Sequence, residues 1–105
     1  MNGANDTLYD LAAEAQEDIF EIWRRIADDS VELANRIELE FYELFASLGR
    51  MPGQGQTRKD LTKRPVLFFP LYSFLIVYRP DVKPIRIMAV LRGRRNVKRM
   101  LQERF

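Results

Sequence analysis

The hydrophobic period of the chain changes near its middle, and that change limits the fold more than any other feature. Up to residue 48 apolar side chains recur every three or four positions, and from residue 64 they alternate. The first spacing gathers them on one face of a helix and the second on one face of a strand. Ala12, Ala15, Ile19, Ile22, Trp23 and Ile26 form one helical stripe, with Glu14, Glu17, Asp18, Glu21 and Arg25 on the other side. Trp23 is therefore expected in the core. Leu33, Ile37, Phe41, Leu44, Phe45 and Leu48 form a second stripe. Between the two, Asp29 with Glu32 reads as a capping box. A connection as short as residues 28–30 forces the helices antiparallel, and the helical hairpin is expected to end at Gly49.

Residues 50–63 read as a loop, because Pro52, Gly53 and Gly55 sit among Gln, Lys and Arg. Beyond it, residues 64–69, 72–79 and 85–92 read as strands, with turns at Pro70–Leu71 and over residues 80–84. Their connections are too short for parallel crossovers, so the three make an antiparallel meander. Residues 7–11 offer a fourth strand. Residues 96–105 place Val97, Met100, Leu101 and Phe105 on one side of a short helix. The expected fold is α+β: a helical hairpin packed on a small, mainly antiparallel sheet, in the order β-α-α-β-β-β plus a C-terminal helix. Its 105 residues suit one domain, 1–105, with residues 1–6 expected to be flexible.

Strand alternation assigns the sheet two faces. Tyr72, Phe74, Ile76 and Tyr78 with Ile85, Ile87, Ala89 and Leu91 form an apolar face for the hairpin. Leu75, Val77, Met88 and Val90 form the centre of the other face, rimmed by Arg79, Arg86 and Arg92. The hairpin covers only one face. The second must be covered by the C-terminal helix, be covered by another protein, or stay open. Ten residues mask only part of such a face, and an apolar patch edged by charge marks a binding surface. A partner inserting an apolar segment with acidic edges would satisfy Leu75, Val77, Arg79, Arg86, Met88 and Val90.

Charge changes at the same boundary as the period. Residues 1–48 hold twelve Asp/Glu against three Arg, net −9, and residues 49–105 hold fourteen Lys/Arg against three Asp/Glu, net +11. The two halves neutralise each other in part. The cations still outnumber the carboxylates near them, which suits an anionic partner, nucleic acid or acidic peptide. The sequence contains no Cys and no His. Disulfides, thiolate metal sites and His-based catalysis are thereby excluded, and a reducing, cytoplasmic setting is expected. The most apolar stretch, residues 65–78, is broken by Pro70 and Ser73 and falls short of the about 20 residues that a membrane helix needs.

Candidate chemistry is sparse. Glu14, Glu17, Asp18 and Glu21 share a helix side, but without His or a facing carboxylate group they read as a solvated face. Gly53 and Gly55 lack the strand and helix that frame a phosphate loop. The strongest cluster is Arg92, Gly93, Arg94 and Arg95, where the glycine permits a turn that aims guanidinium groups at one point. Arginine binds phosphate bidentately. Arg58, Lys59, Lys63 and Arg64 add cations that would converge with them.

These blocks resemble the ParE/RelE toxins of type II toxin–antitoxin systems over residues 7–101. Leu8-Tyr9-Asp10-Leu11, followed by Ala15, Asp18, Ile19, Ile22 and Trp23, is similar to the family's opening strand and helix. Gly53 through Leu61 is similar to its central loop. Tyr72-Ser-Phe-Leu-Ile-Val-Tyr78-Arg79-Pro80, then Ile85 through Val97, is similar to its last hairpin and is the most specific block. The resemblance implies a cytoplasmic toxin that forms a hetero-oligomer with a cognate antitoxin, needs no cofactor and has no membrane partner. Members of the ParE kind inhibit DNA gyrase and are not enzymes; members of the RelE kind cleave mRNA on the ribosome. The hairpin block lies closer to the ParE kind, so Arg58, Lys59, Arg92, Arg94 and Arg95 are expected to bind gyrase. Two departures bear on this. Members often carry His where this chain has Arg92, and Asp where it has Asn96. The His is the residue most often proposed to assist RNA cleavage. A ribosome-dependent mRNA endonuclease, with Tyr78 or Lys59 as base, is the alternative, and a non-toxic antitoxin-binding domain is a third reading.

Overall fold

The computed structural model of the chain describes residues 8–93 and 96–105. The expected flexible end, residues 1–6, lies outside them, as does Thr7 of the first strand. The order is β1 (Tyr9–Leu11), α1 (Ala13–Ala27), α2 (Val31–Arg50), β2 (Leu67–Leu71), β3 (Phe74–Arg79), β4 (Ile85–Arg92) and α3 (Val97–Arg104), with a 3-10 turn at Pro52–Gln54. The four strands form one mixed sheet in the order β1-β4-β3-β2, with β1 parallel to β4 and the rest antiparallel. The α+β architecture expected from the period change is the one observed.

Local chemistry moves several boundaries. Ser30, not Asp29, caps α2: its hydroxyl accepts from Leu33 N at 3.0 Å. Gly49 does not stop the helix, which runs to Arg50. Its role is close approach, because a Cβ there would lie 2.1 Å from the Leu8 carbonyl oxygen. Pro70 and Leu71 are strand rather than turn. As an edge strand, β2 tolerates proline, since its missing N–H faces away from the ladder. The β2–β3 turn is Tyr72–Ser73, between paired Leu71 and Phe74, and Tyr72 takes a positive φ of 56°. Hairpin turns of this length favour that left-handed conformation, although a bulky residue adopts it reluctantly. The Tyr72 hydroxyl is tied to Glu40 of α2 at 2.5 Å.

Two apolar clusters flank the sheet. On one side α1 and α2 bring Ile19, Ile22, Phe41, Phe45 and Leu48 against Phe74, Ile76, Tyr78, Ile85, Ile87 and Val90. On the other, α3 brings Val97, Met100 and Leu101 against Val66, Phe68, Val77, Met88 and Ala89. The faces follow the expected alternation only as far as a bulge. Val77 pairs with Ala89 but Tyr78 pairs with Ile87, which leaves Met88 as an extra residue in β4. That insertion exchanges the faces of β4 beyond it. Val90 turns to the hairpin, whereas Ala89 and Leu91 pack in the α3 cluster.

Candidate functional site

The premise of an open second sheet face does not hold. Val77 is fully buried, and Met88 is 4% exposed beneath α3. Val90 lies against the hairpin on the opposite side, and Leu75 is half-buried at the edge of the α3 cluster. Two of the three rim arginines are already ion-paired, Arg79 with Asp81 at 2.8 Å and Arg86 with Asp10 at 2.9 Å. A helix of eight residues is too short to persist alone, so its docking depends on tertiary contacts. A polar clamp supplies them at its end. Arg104 donates to both carboxylate oxygens of Asp18 on α1, at 2.7 and 3.0 Å, and Asp18 also accepts from Val90 N at 3.0 Å. The Asp18 side chain is 17% exposed, so it is not part of a solvated acidic face. The neighbouring ring of Phe105 lies under two guanidinium groups, 4.7 Å from Arg64 and 4.6 Å from Arg79.

The basic loop is built on Tyr78. Its hydroxyl donates to the Pro52 carbonyl at 2.6 Å and accepts from Gly55 N at 2.9 Å, which fixes the loop's entry to β3. A Cβ on Gly55 would sit 2.6 Å from that hydroxyl, so glycine is required by proximity. Farther along, Leu61 N and Thr62 N both donate to the Arg58 carbonyl, at 2.9 and 3.0 Å. The resulting tight turn carries a cavity of about 330 Å³ lined by Thr57, Arg58, Lys59, Thr62, Lys63, Arg64 and Val66. Arg58 is bound in fork geometry to Asp60, at 3.1 and 2.9 Å.

The expected convergence of cations is therefore partial. Arg58 and Lys59 meet Lys63 and Arg64. Arg92 lines a different cavity, of about 340 Å³, with Asp18, Glu21, Arg25 and Asn96, and its guanidinium lies 5.9 Å from the Phe74 ring. Gly93 does adopt the turn conformation expected of it, with φ of 73°. Arg94 and Arg95 lie outside the described residues.

One site escapes sequence reading. The outer side of the helical hairpin carries a groove of about 540 Å³ lined by Gln16, Glu17, Ile19, Phe20, Trp23, Glu38 and Tyr42. Trp23 is half-buried there rather than in the core, and its Nε1 donates to Asn35 Oδ1 at 2.9 Å. Phe20 is 61% exposed, and Leu39 is 57% exposed on the same hairpin. Phe20 interrupts the predicted polar side of α1, and that was its only signal. Among the described residues no group of carboxylates is arranged to hold a metal ion, and no helix is long and apolar enough to cross a membrane.

A helical hairpin on a four-stranded mixed sheet, a basic loop braced by a buried tyrosine and a short helix closing the far face define a small α+β scaffold. Residues 9–97 match the model of the family described as ParE toxin of type II toxin–antitoxin system, parDE. The chain belongs to that family and is a ParE-type toxin of a type II toxin–antitoxin system. Its fold is similar to that of a solved chain titled "Chromosomal ParDE TA system from P. aeruginosa". The TM-score is 0.68 at 20% identity, over 85% of this chain and 98% of the other. No curated protein matches it significantly.

Proposed function

We propose that this toxin is neutralised by a cognate antitoxin and acts by inhibiting DNA gyrase, not by cleaving RNA. Attack of a ribose 2′-OH on its own phosphate needs an acid and a base with pKa values near the working pH. The observation that carries the reading is how the basic half employs its acid–base candidates. Tyr78 is committed to Pro52 and Gly55, and burial raises its pKa, away from neutrality. Asp81 is held by Arg79, which lowers its pKa, also away from neutrality. Asp60 is held by Arg58. What the loop offers a partner is fixed positive charge, which suits binding better than proton transfer.

Antitoxin docking is assigned to the hairpin groove. Exposed Phe20 with half-buried Trp23 and Tyr42 presents aromatic surface that no described element covers fully, and Glu17 and Glu38 edge it. An amphipathic antitoxin helix with apolar anchors and flanking Lys or Arg fits such a groove. The test of mechanism sets a supercoiling reaction beside a translation reaction. The purified toxin is expected to arrest supercoiling by gyrase and to leave ribosome-bound mRNA intact. Cleavage in the ribosomal A site with supercoiling untouched would overturn the gyrase reading in favour of the mRNA endonuclease. Inertness in both, with antitoxin still bound, would favour the non-toxic binding domain.

A further inference from the structure

We propose that free copies of the toxin join head to tail, with the turn bearing Lys59 and Lys63 of one copy seated in the outer hairpin groove of the next. The groove suits a long cation. Trp23 and Tyr42 supply aromatic surface, Ile19 an apolar floor, and Glu17 and Glu38 carboxylates at the edges. A lysine buries its aliphatic stem along such a surface and carries its ammonium to the rim. There the carboxylates and the rings both attract it. Arg24 of the same helix reaches only to 6.0 Å from the Phe20 ring centre, the outer limit of such contacts, and leaves that side chain 61% exposed.

Matching cations lie on the same chain. The Arg58 carbonyl accepts from Leu61 N and Thr62 N, which holds residues 58–62 in a tight turn before any partner arrives, and Lys59 and Lys63 are both exposed on it. Arg58 is engaged by Asp60 and Arg64 by the Phe105 ring. Among the described residues no ion pair joins Lys59 or Lys63 to a carboxylate. Turn and groove cannot meet within one copy. Ile19 of the groove packs in the hairpin cluster, whereas Leu61 and Val66 of the loop pack in the α3 cluster, on the other side of the sheet. Groove-to-groove pairing of two copies would set Glu17 and Glu38 against their own counterparts, in a half whose net charge is −9. Setting that half against the half of net charge +11 replaces repulsion with attraction. Because the contact joins unlike surfaces, one end of a pair keeps a free groove and the other a free turn. Assembly therefore continues past the dimer, into a ring or an open chain.

Assembly is measured on the toxin alone, so its outcome is independent of the gyrase and antitoxin readings. Sedimentation of the full chain is followed up to about 1 mM, at low and at high ionic strength. The average mass is expected to rise with concentration past that of a dimer, and to fall to that of a monomer in high salt. Phe20→Lys puts a like charge in the groove, and Lys59→Gln with Lys63→Gln removes both cations while keeping their bulk. Each variant should associate about tenfold more weakly than the unaltered chain. Mixed in equal amounts, the two should form a dimer and nothing larger, because the first still offers a turn and the second still offers a groove. A monomer under all conditions would overturn the head-to-tail contact, as would a dimer that the lysine double variant leaves unweakened. So would a mixture that associates as weakly as its components, both showing the native circular-dichroism spectrum.

Discussion

The two faces of the sheet are covered by unlike means. The hairpin face is closed by two helices of 15 and 20 residues, whose aromatic side chains interlock. Phe41 meets Phe74 edge-on at 5.4 Å, and Tyr9 meets Phe45 at 5.6 Å. The far face is closed by eight residues whose end is fixed by one ion pair and one ring between two arginines. Apolar area holds the first cover; the second buries only Val97, Met100 and Leu101 of α3 and adds a polar clamp at its end. Local openings follow the elements with the fewest apolar contacts, so α3 is the first element expected to lift.

The largest effect should come from spoiling the first cover at its tightest point. A side chain at Gly49 would strike the Leu8 backbone, which cannot yield as a flexible side chain would. Gly49→Val is expected to cost about 3 kcal/mol in urea unfolding. Gly53→Ala, with nothing within 4 Å of the added carbon, should change stability by less than about 0.5 kcal/mol. Equal values for the two would contradict the close packing of the Leu8 backbone on α2.

Asp18→Ala attacks the second cover. It strands the Arg104 guanidinium and the Val90 N–H together, at a cost of about 2 kcal/mol. That loss should be local: amides of α3 should exchange faster while those of α1 and α2 hardly change. Uniform acceleration would mean that both covers unfold as one.

A smaller effect lies in the pH dependence. Arg79 lowers the pKa of Asp81, so this pair favours the folded state above the unfolded carboxylate pKa, about 3.9, and the contribution is lost as the pH falls through the lower folded value. Burial raises the pKa of Tyr78, whose contribution is complete below the unfolded value of about 10 and is lost as the pH rises through the folded one. Asp81→Asn should flatten the acid limb of a stability–pH curve and leave the alkaline limb alone. Tyr78→Phe should flatten the alkaline limb and also lower the plateau, because two loop hydrogen bonds go with the hydroxyl.

Much of this arrangement was legible in the sequence, for a physical reason. Helix and strand periods report which side of an element is buried, so the hairpin, the meander and the closing helix all followed from spacing. The bulge did not, because one extra residue at Met88 reverses the faces of β4 without disturbing its apolar composition. Val90 was thus assigned to the wrong face. Pro70 resembled a turn because strand order, which makes β2 an edge, is a tertiary fact. At the candidate site, Arg58, Lys59, Lys63 and Arg64 could be grouped from their closeness in the chain. Asp18 could not be distinguished from its acidic neighbours, since its partner Arg104 is 86 positions away. The groove at Phe20 and Trp23 stayed hidden because an apolar stripe does not record where one helix stops covering another.

The contrast between the covers also separates two places for an antitoxin, and one measurement distinguishes them. Hydrogen exchange of the toxin is followed with and without its cognate antitoxin, and the change in protection is mapped along the chain. New protection is expected in α1 and α2 around Phe20, Trp23 and Tyr42, with loss of antitoxin affinity in Phe20→Asp and no change in α3. Protection concentrated on β3 and β4, with α3 amides released and Phe20→Asp still binding at full strength, would contradict it.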